Sequence, residues 1–372
     1  MKLLILSSSP LVAIDKEFYA YSPYVKELAI WAKNADETAF LCPVWENDRG
    51  LLISKIPFPI SKMFIAKEFN LLSIPNFFSA LKYSFRNFYI IFQAMAWADH
   101  IHLRCPGNIG LMGCILQVFF PGKPKTAKYA GNWDPQSNQP WSYKLQRWIL
   151  SNTFLTKNIK VLVYGEWKGS SKNIKSFFTA SYKEEDKTPV APRSLKAPIA
   201  IAYVGTLVPG KQPLYAVKLA ESLYKNGVDV VLSLYGYGRE KEKIEDYIRS
   251  NNLESRVILM GNQPQEIIKK AYQESHFVIL PSQSEGWPKV VAEGMFWGCL
   301  PIATNVSCLN YMLDSGNRGI LLKMDTDLDT RQIITLLNDK ESYNDKVTKS
   351  ILWSRKYTLD LFESEIKALL HS

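Results

Sequence analysis

Short apolar runs recur along the chain, each followed by a longer stretch in which apolar residues return every three or four positions. That alternation predicts an α/β protein with parallel sheets: a strand covered on both faces reads as a continuous apolar run, and its crossover helix as an amphipathic one. In the first half the predicted strands are Leu3–Leu6, Thr38–Leu41, His100–Leu103, Ala127–Tyr129 and Val161–Tyr164, the last closed by Gly165. Ser181–Pro198 then reads SYKEEDKTPVAPRSLKAP, charged and proline-bearing with little apolar content, which predicts an interdomain linker. The alternation restarts with strands over Ile199–Val204, Val228–Leu234, Val257–Leu259, Phe277–Leu280, Leu300–Ala303 and Gly319–Leu322. Leu214–Lys225, Glu240–Ser250 and Gln265–Tyr272 supply helices between them. The expected organisation is a Rossmann-like domain over 1–180, a linker over 181–198 and a second Rossmann-like domain over 199–355, the parallel sheets facing an interdomain cleft. A C-terminal helix within 356–372 crosses back to the first domain.

Length agrees with two cores, since 372 residues exceed what one hydrophobic core usually holds. With 47% hydrophobic residues, disorder is not expected. The apolar start, Met1–Leu6, stops at Ser7-Ser8-Ser9-Pro10, which suits a first buried strand better than a signal segment. The longest apolar runs, Phe88–Ala98 and Leu111–Phe120, fall short of the roughly 20 residues that span a bilayer. Cys42, Cys105, Cys114, Cys299 and Cys308 form no CxxC pair and no cluster with histidine, so reduced thiols in the cytoplasm are expected. The formal charge is +10, and its placement changes the picture. Lys123, Lys125, Lys128, Lys144, Arg147, Lys157, Lys160, Lys168, Lys172 and Lys175 lie between Gln117 and Lys175, against only Asp134 and Glu166. Trp133, Trp141, Tyr143, Trp148, Phe154 and Trp167 are interspersed among them. This stretch is expected to meet an anionic membrane at its inner face; a solvated surface, or one that attracts an anionic acceptor, is the alternative. No nucleic-acid partner is expected.

Three segments carry candidate chemistry. In Tyr203-Val204-Gly205-Thr206-Leu207-Val208-Pro209-Gly210-Lys211 a strand ends at a glycine, and a lysine follows six residues later, before a helix that starts near Pro213. Such a loop lets a phosphate approach the backbone beside a point charge, although a plain turn reads the same way. Gly236 and Gly238 form a Gly-x-Gly between strand and helix, which serves helix–strand packing as readily as a ligand. The third segment runs Pro281-Ser282-Gln283-Ser284-Glu285-Gly286-Trp287-Pro288-Lys289-Val290-Val291-Ala292-Glu293-Gly294. Proline at position 288 favours a helix start there, whose free amides and positive dipole end suit an anion. Glu285 just before that helix and Glu293 two turns into it suit sugar and ribose hydroxyls, because carboxylates accept paired hydrogen bonds from diols.

Glu285 through Glu293 fits E-x7-E, and with Gly205…Lys211, Gly236-x-Gly238, Gly261-Asn262 and Gly298-Cys299-Leu300-Pro301 the segment Ile199–Leu322 resembles the donor domain of the retaining glycosyltransferase family four, of the two-domain GT-B type. The resemblance implies a metal-independent hexosyltransferase of polysaccharide biosynthesis, with no cofactor beyond its UDP- or GDP-linked sugar donor and with a glycan or lipid-linked acceptor on the first domain. It implies that Lys211 neutralises the donor diphosphate, Glu285 holds the transferred sugar and Glu293 binds ribose. Gly205 and Thr206, Gly236 and Gly238, and the backbone of Gly286, Trp287, Pro288, Lys289 and Val290 would line the donor, with Gly261 and Asn262 near the base.

The chain departs from the family pattern in three places. Thr206 stands where many members carry an arginine, Ser7-Ser8-Ser9-Pro10 replaces a Gly-Gly loop, and no histidine accompanies Ala130-Gly131-Asn132-Trp133-Asp134. Gly131, Asn132 and Asp134 are therefore candidate cleft residues, together with His102 at a strand end; a packed histidine is the alternative for His102. His276 opens a buried-looking strand and reads as structural. Asp325-Thr326-Asp327 spells DxD, the metal motif of another glycosyltransferase fold, but aspartate before a helix reads first as a cap. Two other functions stay open: a nucleotide-sugar epimerase of the same fold, and a non-catalytic nucleotide-sugar binder.

Overall fold

A computed structural model describes residues 1–68, 77–196 and 198–371, with side chains from residue 84 onward in the helix that follows the first gap. The chain divides into two compact units, Met1–Phe177 with Glu363–Ser372, and Phe178–Phe362. In the first unit the elements are β1 (Lys2–Leu6), β2 (Leu11–Ile14), β3 (Glu17–Tyr21), α1 (Ser22–Lys33), β4 (Glu37–Cys42), β5 (Val44–Trp45), β6 (Ile53–Lys55) and β7 (Lys62–Ile65). They continue with α2 (Phe77–Trp97), β8 (His100–Cys105), α3 (Asn108–Leu116), β9 (Lys125–Tyr129), α4 (Trp141–Ser151), β10 (Ile159–Tyr164) and β11 (Ile174–Phe177). Seven of these strands form a parallel sheet in the order β11-β10-β9-β8-β1-β4-β7. All five strands predicted in this half lie in it. A separate sheet, β5-β2-β3-β6, was not foreseen; its strands are only two to five residues long.

The second unit holds β12 (Ile199–Val204), α5 (Pro213–Lys225), β13 (Val230–Tyr235), α6 (Lys241–Ser250), β14 (Val257–Gly261), α7 (Gln265–Glu274) and β15 (Phe277–Leu280). It continues through α8 (Lys289–Phe296), β16 (Leu300–Thr304), α9 (Leu309–Leu313), β17 (Ile320–Leu322), α10 (Thr326–Leu337) and α11 (Lys340–Ser354). The last helix, α12 (Leu359–Leu370), begins in this unit, and its second half groups with the first. There Glu363 pairs with Lys33 at 2.5 Å, and Glu365 pairs with Lys175. The sheet order β14-β13-β12-β15-β16-β17 is parallel throughout. It is the doubly wound order in which the chain reverses direction between the first and fourth strands, here β12 and β15.

The segment expected to be a linker is instead folded onto the second unit. Tyr182 is buried against Phe296 and Trp297, with ring centroids 4.8 and 5.2 Å away. Arg193 donates to the carbonyls of Tyr272, Gln273, Trp297 and Gly298, closing the ends of two helices. Its charged composition hid two anchoring residues.

The basic stretch is also rearranged by folding. Lys123 donates to the carbonyls of Met95, Ala96 and Ala98 at the end of α2, a cation on the negative end of a helix. Lys125 is buried and donates to Phe120 and Lys123 carbonyls. Lys128 and Arg104 stand side by side on β9 and β8, and both reach Glu27 on α1, at 2.8 and 2.5 Å. Trp133 is buried with its ring edge-on to Tyr129. The charge between Gln117 and Lys175 is thus in part interior, which corrects its reading as one surface.

Candidate functional site

Ligands of open parallel sheets bind beyond the carboxyl ends of the strands, where the strand order reverses. In the second unit that point is bounded by the loop after β12, residues 205–212, and the loop after β15, residues 281–288. The two loops are joined: the Gln283 amide donates to the Gly210 carbonyl at 2.9 Å. Lys211 Nζ donates to Glu285 Oε1 at 2.5 Å, with the Glu285 side chain 8% exposed and that of Lys211 31%. Two residues 74 positions apart that motif reading singled out separately are therefore partners.

The loop after β16, which no motif flagged, holds Glu285 in place. Ser307 Oγ accepts from the Glu285 amide at 3.2 Å and donates to its carbonyl, and Cys308 Sγ donates to the Gly286 carbonyl at 3.1 Å. The parallel order β15-β16 is the signal that would have found them, because it sets these loops side by side. Pro288 caps α8 rather than opening it, and Lys289 and Val290 form the first turn, half-buried beside Glu285. First-turn amides are not spent within a helix. Trp287 points the other way: its ring is buried against Trp353 and Tyr357, so only its backbone lies toward the loop.

Glu293 sits just over one turn into α8 with different company. It accepts from Ser181 Oγ at 2.5 Å and from Tyr272 at 3.3 Å. Burial and then the Glu293 carboxylate raise Tyr272 well above the usual phenol value, so its hydroxyl keeps its proton and donates. Ser181, Trp287, Lys289, Glu293 and Tyr357 line one narrow cavity. Neither Ser181 nor Tyr272 belongs to a motif, and Ser181 comes from the supposed linker.

The Gly-x-Gly pair is explained by backbone packing. A Cβ on Gly236 would lie 1.9 Å from the Gly205 carbonyl oxygen, and one on Gly238 would lie 2.4 Å from that of Leu207. The loop after β12 rests on these glycines, with Gly205 and Leu207 amides donating to Tyr235 and Tyr237 carbonyls. The pair positions that loop, the packing role that its sequence allows. Gly236→Ala is expected to cost about 1–3 kcal/mol of stability through overpacking, read by denaturant titration. Gly210→Ala, with open space around its Cβ, is the near-neutral control. Thr206 is exposed, its carbonyl accepting from Tyr203 at 3.1 Å, and Asn262 is exposed beyond Gly261, whose carbonyl accepts from Gly236.

In the first unit His102 is a core residue. It is fully buried, its Nδ1 lies 2.9 Å from Thr126 Oγ1, and its ring packs at a tilt against Trp31. Burial, then Arg104, holds its imidazole well below the ordinary value, so it stays neutral. That corrects its reading as a cleft residue. Gly131, Asn132 and Asp134 follow β9 and build a local turn: Asn132 Oδ1 accepts from the Asp134 amide, Asp134 Oδ1 from the Gln136 amide, and the Asp134 carbonyl from Arg147. His276 is structural, as its neighbours predict, with Nδ1 accepting from the Ala200 amide and Nε2 donating to the Ser194 carbonyl.

Asp325 caps α10, its carboxylate accepting from the amides of Asp327 and Leu328 at 3.0 Å each. Among the described residues no three His, Cys, Asp or Glu side chains come together to hold a metal ion. The five cysteines are free thiols, all buried. Among the described residues no helix is long and apolar enough to cross a membrane.

Comparison with known proteins places this geometry. Residues 184–351 match the family model of glycosyl transferases group 1. Along its whole length the chain is similar to HepE of Anabaena, solved in complex with UDP and glucose, at 14% identity and a TM-score of 0.67, covering 100% of this chain and 99% of that one. Sucrose-phosphate synthase of Thermosynechococcus elongatus superposes with a TM-score of 0.66 at 15% identity, covering 100% and 98%. In sequence, 140 residues are 31% identical to an uncharacterized glycosyltransferase of Methanocaldococcus jannaschii, covering 37% of this chain and 38% of that one. Another 29% identity over 143 residues links the chain to the UDP-Gal:alpha-D-GlcNAc-diphosphoundecaprenol alpha-1,3-galactosyltransferase of Escherichia coli, covering 37% and 36%. Both alignments span well under half the length of those relatives. The chain has the GT-B fold, and the match to the glycosyl transferases group 1 model lies within its second unit.

Proposed function

We propose that the protein is a retaining, metal-independent glycosyltransferase that moves a sugar from a nucleotide-diphosphate sugar to a glycan or lipid-linked acceptor in cell-surface polysaccharide synthesis. The observation that carries this reading is the Lys211–Glu285 pair at the point where the strand order reverses, beside the first turn of α8. HepE with its bound UDP and glucose supports a sugar bound to UDP, and the Escherichia coli relative supports a lipid-linked acceptor. In this reading the enzyme works in the cytoplasm, at the inner face of the membrane.

The ion pair explains how the site is kept ready. Without donor, Lys211 and Glu285 neutralise one another. A diphosphate arriving at the α8 N-terminus draws Lys211 away, and Glu285 is released to accept hydrogen bonds from sugar hydroxyls. As the glycosidic bond breaks, negative charge grows on the leaving diphosphate, where Lys211 and the amides of Gly286, Trp287, Lys289 and Val290 stabilise it. Thr206 leaves this set one cation short of the family pattern. Glu293 accepts from ribose hydroxyls, with Ser181 as the partner it exchanges.

A panel of UDP- and GDP-linked sugars followed by thermal melting tests the reading. A true donor at ~100 times its dissociation constant is expected to add about 2.7 kcal/mol. No stabilisation by any nucleotide sugar would sink it, whereas stabilisation without product release in the presence of acceptors would leave a non-catalytic binder. Glu293→Gln is expected to weaken donor binding by about 1.5–3 kcal/mol in calorimetry, and unchanged affinity would place ribose elsewhere.

A further inference from the structure

The connections β7–α2–β8, β8–α3–β9 and β9–α4–β10 step the same way along the first sheet. Right-handed crossovers then put α2, α3 and α4 on one face of it. On the outside of this layer Phe85, Tyr89, Phe119, Trp141, Trp148 and Phe154 are each more than half exposed. Their spacing makes stripes: Phe85, Tyr89 and Phe92 follow i, i+4, i+7 on α2, and Trp141, Lys144 and Trp148 follow i, i+3, i+7 on α4. Phe92 packs at a tilt against Phe120 just beyond α3, with centroids 5.1 Å apart, which links the stripes. Soluble proteins expose large apolar side chains singly, not as a layer.

Charge says what covers this face. Helices α2, α3 and α4 contain no aspartate or glutamate. Arg86, Lys144 and Lys157 are exposed on or beside it, Lys157 with its ammonium 5.8 Å from the Phe154 ring centroid. We infer that the outer face of α2–α3–α4 docks on the surface of an anionic lipid bilayer. The aromatic rings enter the interfacial layer, where amphipathic rings are favoured, and the three cations stay among the headgroups. The inference narrows the membrane contact proposed above to a particular face. It moves the contact away from Lys123, Lys125 and Lys128, which are spent inside. Its test reads lipid binding alone, so its failure leaves the transferase reading standing.

The test is vesicle sedimentation of the full chain with phosphatidylcholine alone and with added phosphatidylglycerol, at low and high salt. Binding is expected only with the anionic lipid, falling as salt rises. The Trp141→Ala/Trp148→Ala variant is expected to lose about tenfold or more in partition coefficient at an unchanged melting temperature. Lys144→Glu should weaken binding in the same assay. If the wild-type protein ignores anionic vesicles at low salt, or the double variant binds as well as wild type, the inference is wrong. It is equally wrong if sedimentation velocity shows a dimer that Trp148→Asp dissociates while vesicles are ignored, since the face then belongs to a second copy.

Discussion

Lys211→Ala is expected to lower turnover by about 10²–10³-fold while weakening donor binding much less. Charge on the diphosphate grows toward the transition state, so a cation placed there contributes more to kcat than to affinity, about 2.7–4 kcal/mol for one well-aimed group. The structure adds a complication that the experiment must separate. Without Lys211 the mostly buried Glu285 loses its partner, and the ligand-free protein should be destabilised by about 1–3 kcal/mol, between the values for exposed and buried pairs. The double variant Lys211→Ala/Glu285→Gln removes the orphaned charge. It should recover most of the stability and none of the turnover. Single-turnover kinetics and denaturant titration of the three proteins therefore distinguish a phosphate cation from a structural lysine. Normal turnover in Lys211→Ala would end the assignment.

The residues of this site were legible in the sequence, but their partnerships were not. Ile199–Val204 and Phe277–Leu280 read as strands because each is an unbroken apolar run closed by glycine or proline, and both are observed with those bounds. Motif reading also found Lys211 and Glu285. That they meet follows from strand order, which places β12 beside β15, and strand order is not written locally. The two glycines of Gly236-x-Gly238 were visible too. Whether a missing Cβ makes room for a ligand or for another backbone depends on where the loop after β12 runs. Surface charge was least legible. A lysine reads as exposed until a partner is known, and the partner of Lys128 is Glu27, 101 residues away. The edge strand Lys62–Ile65 escaped notice because it is only four residues long and half-exposed.

Glu27→Ala is expected to be the most destabilising single change in the first unit, at about 3–5 kcal/mol. It leaves Arg104 and the fully buried Lys128 facing one another across β8 and β9 without their shared carboxylate. Glu27→Gln, which keeps the shape and one acceptor, should cost less. The pair also predicts a pH dependence. Burial disfavours the Glu27 carboxylate, but Arg104 and then Lys128 more than offset that, so its carboxyl is held well below the ordinary carboxylate range. A group depressed on folding contributes stability that is fully present above its unfolded value, about 4.3, and is lost as pH falls toward the folded one. The wild-type first unit should therefore weaken on acidification below about pH 4.3–5, and Glu27→Gln should lack that part of the slope. Other carboxylates titrate in the same window, so the informative quantity is the difference between the two proteins. Hydrogen exchange of peptides covering β8 and β9 reads it locally, without requiring the two units to unfold together. Protection in the variant that falls with acid in parallel with wild type would mean that Glu27 is not the charge holding Arg104 and Lys128 inside the sheet.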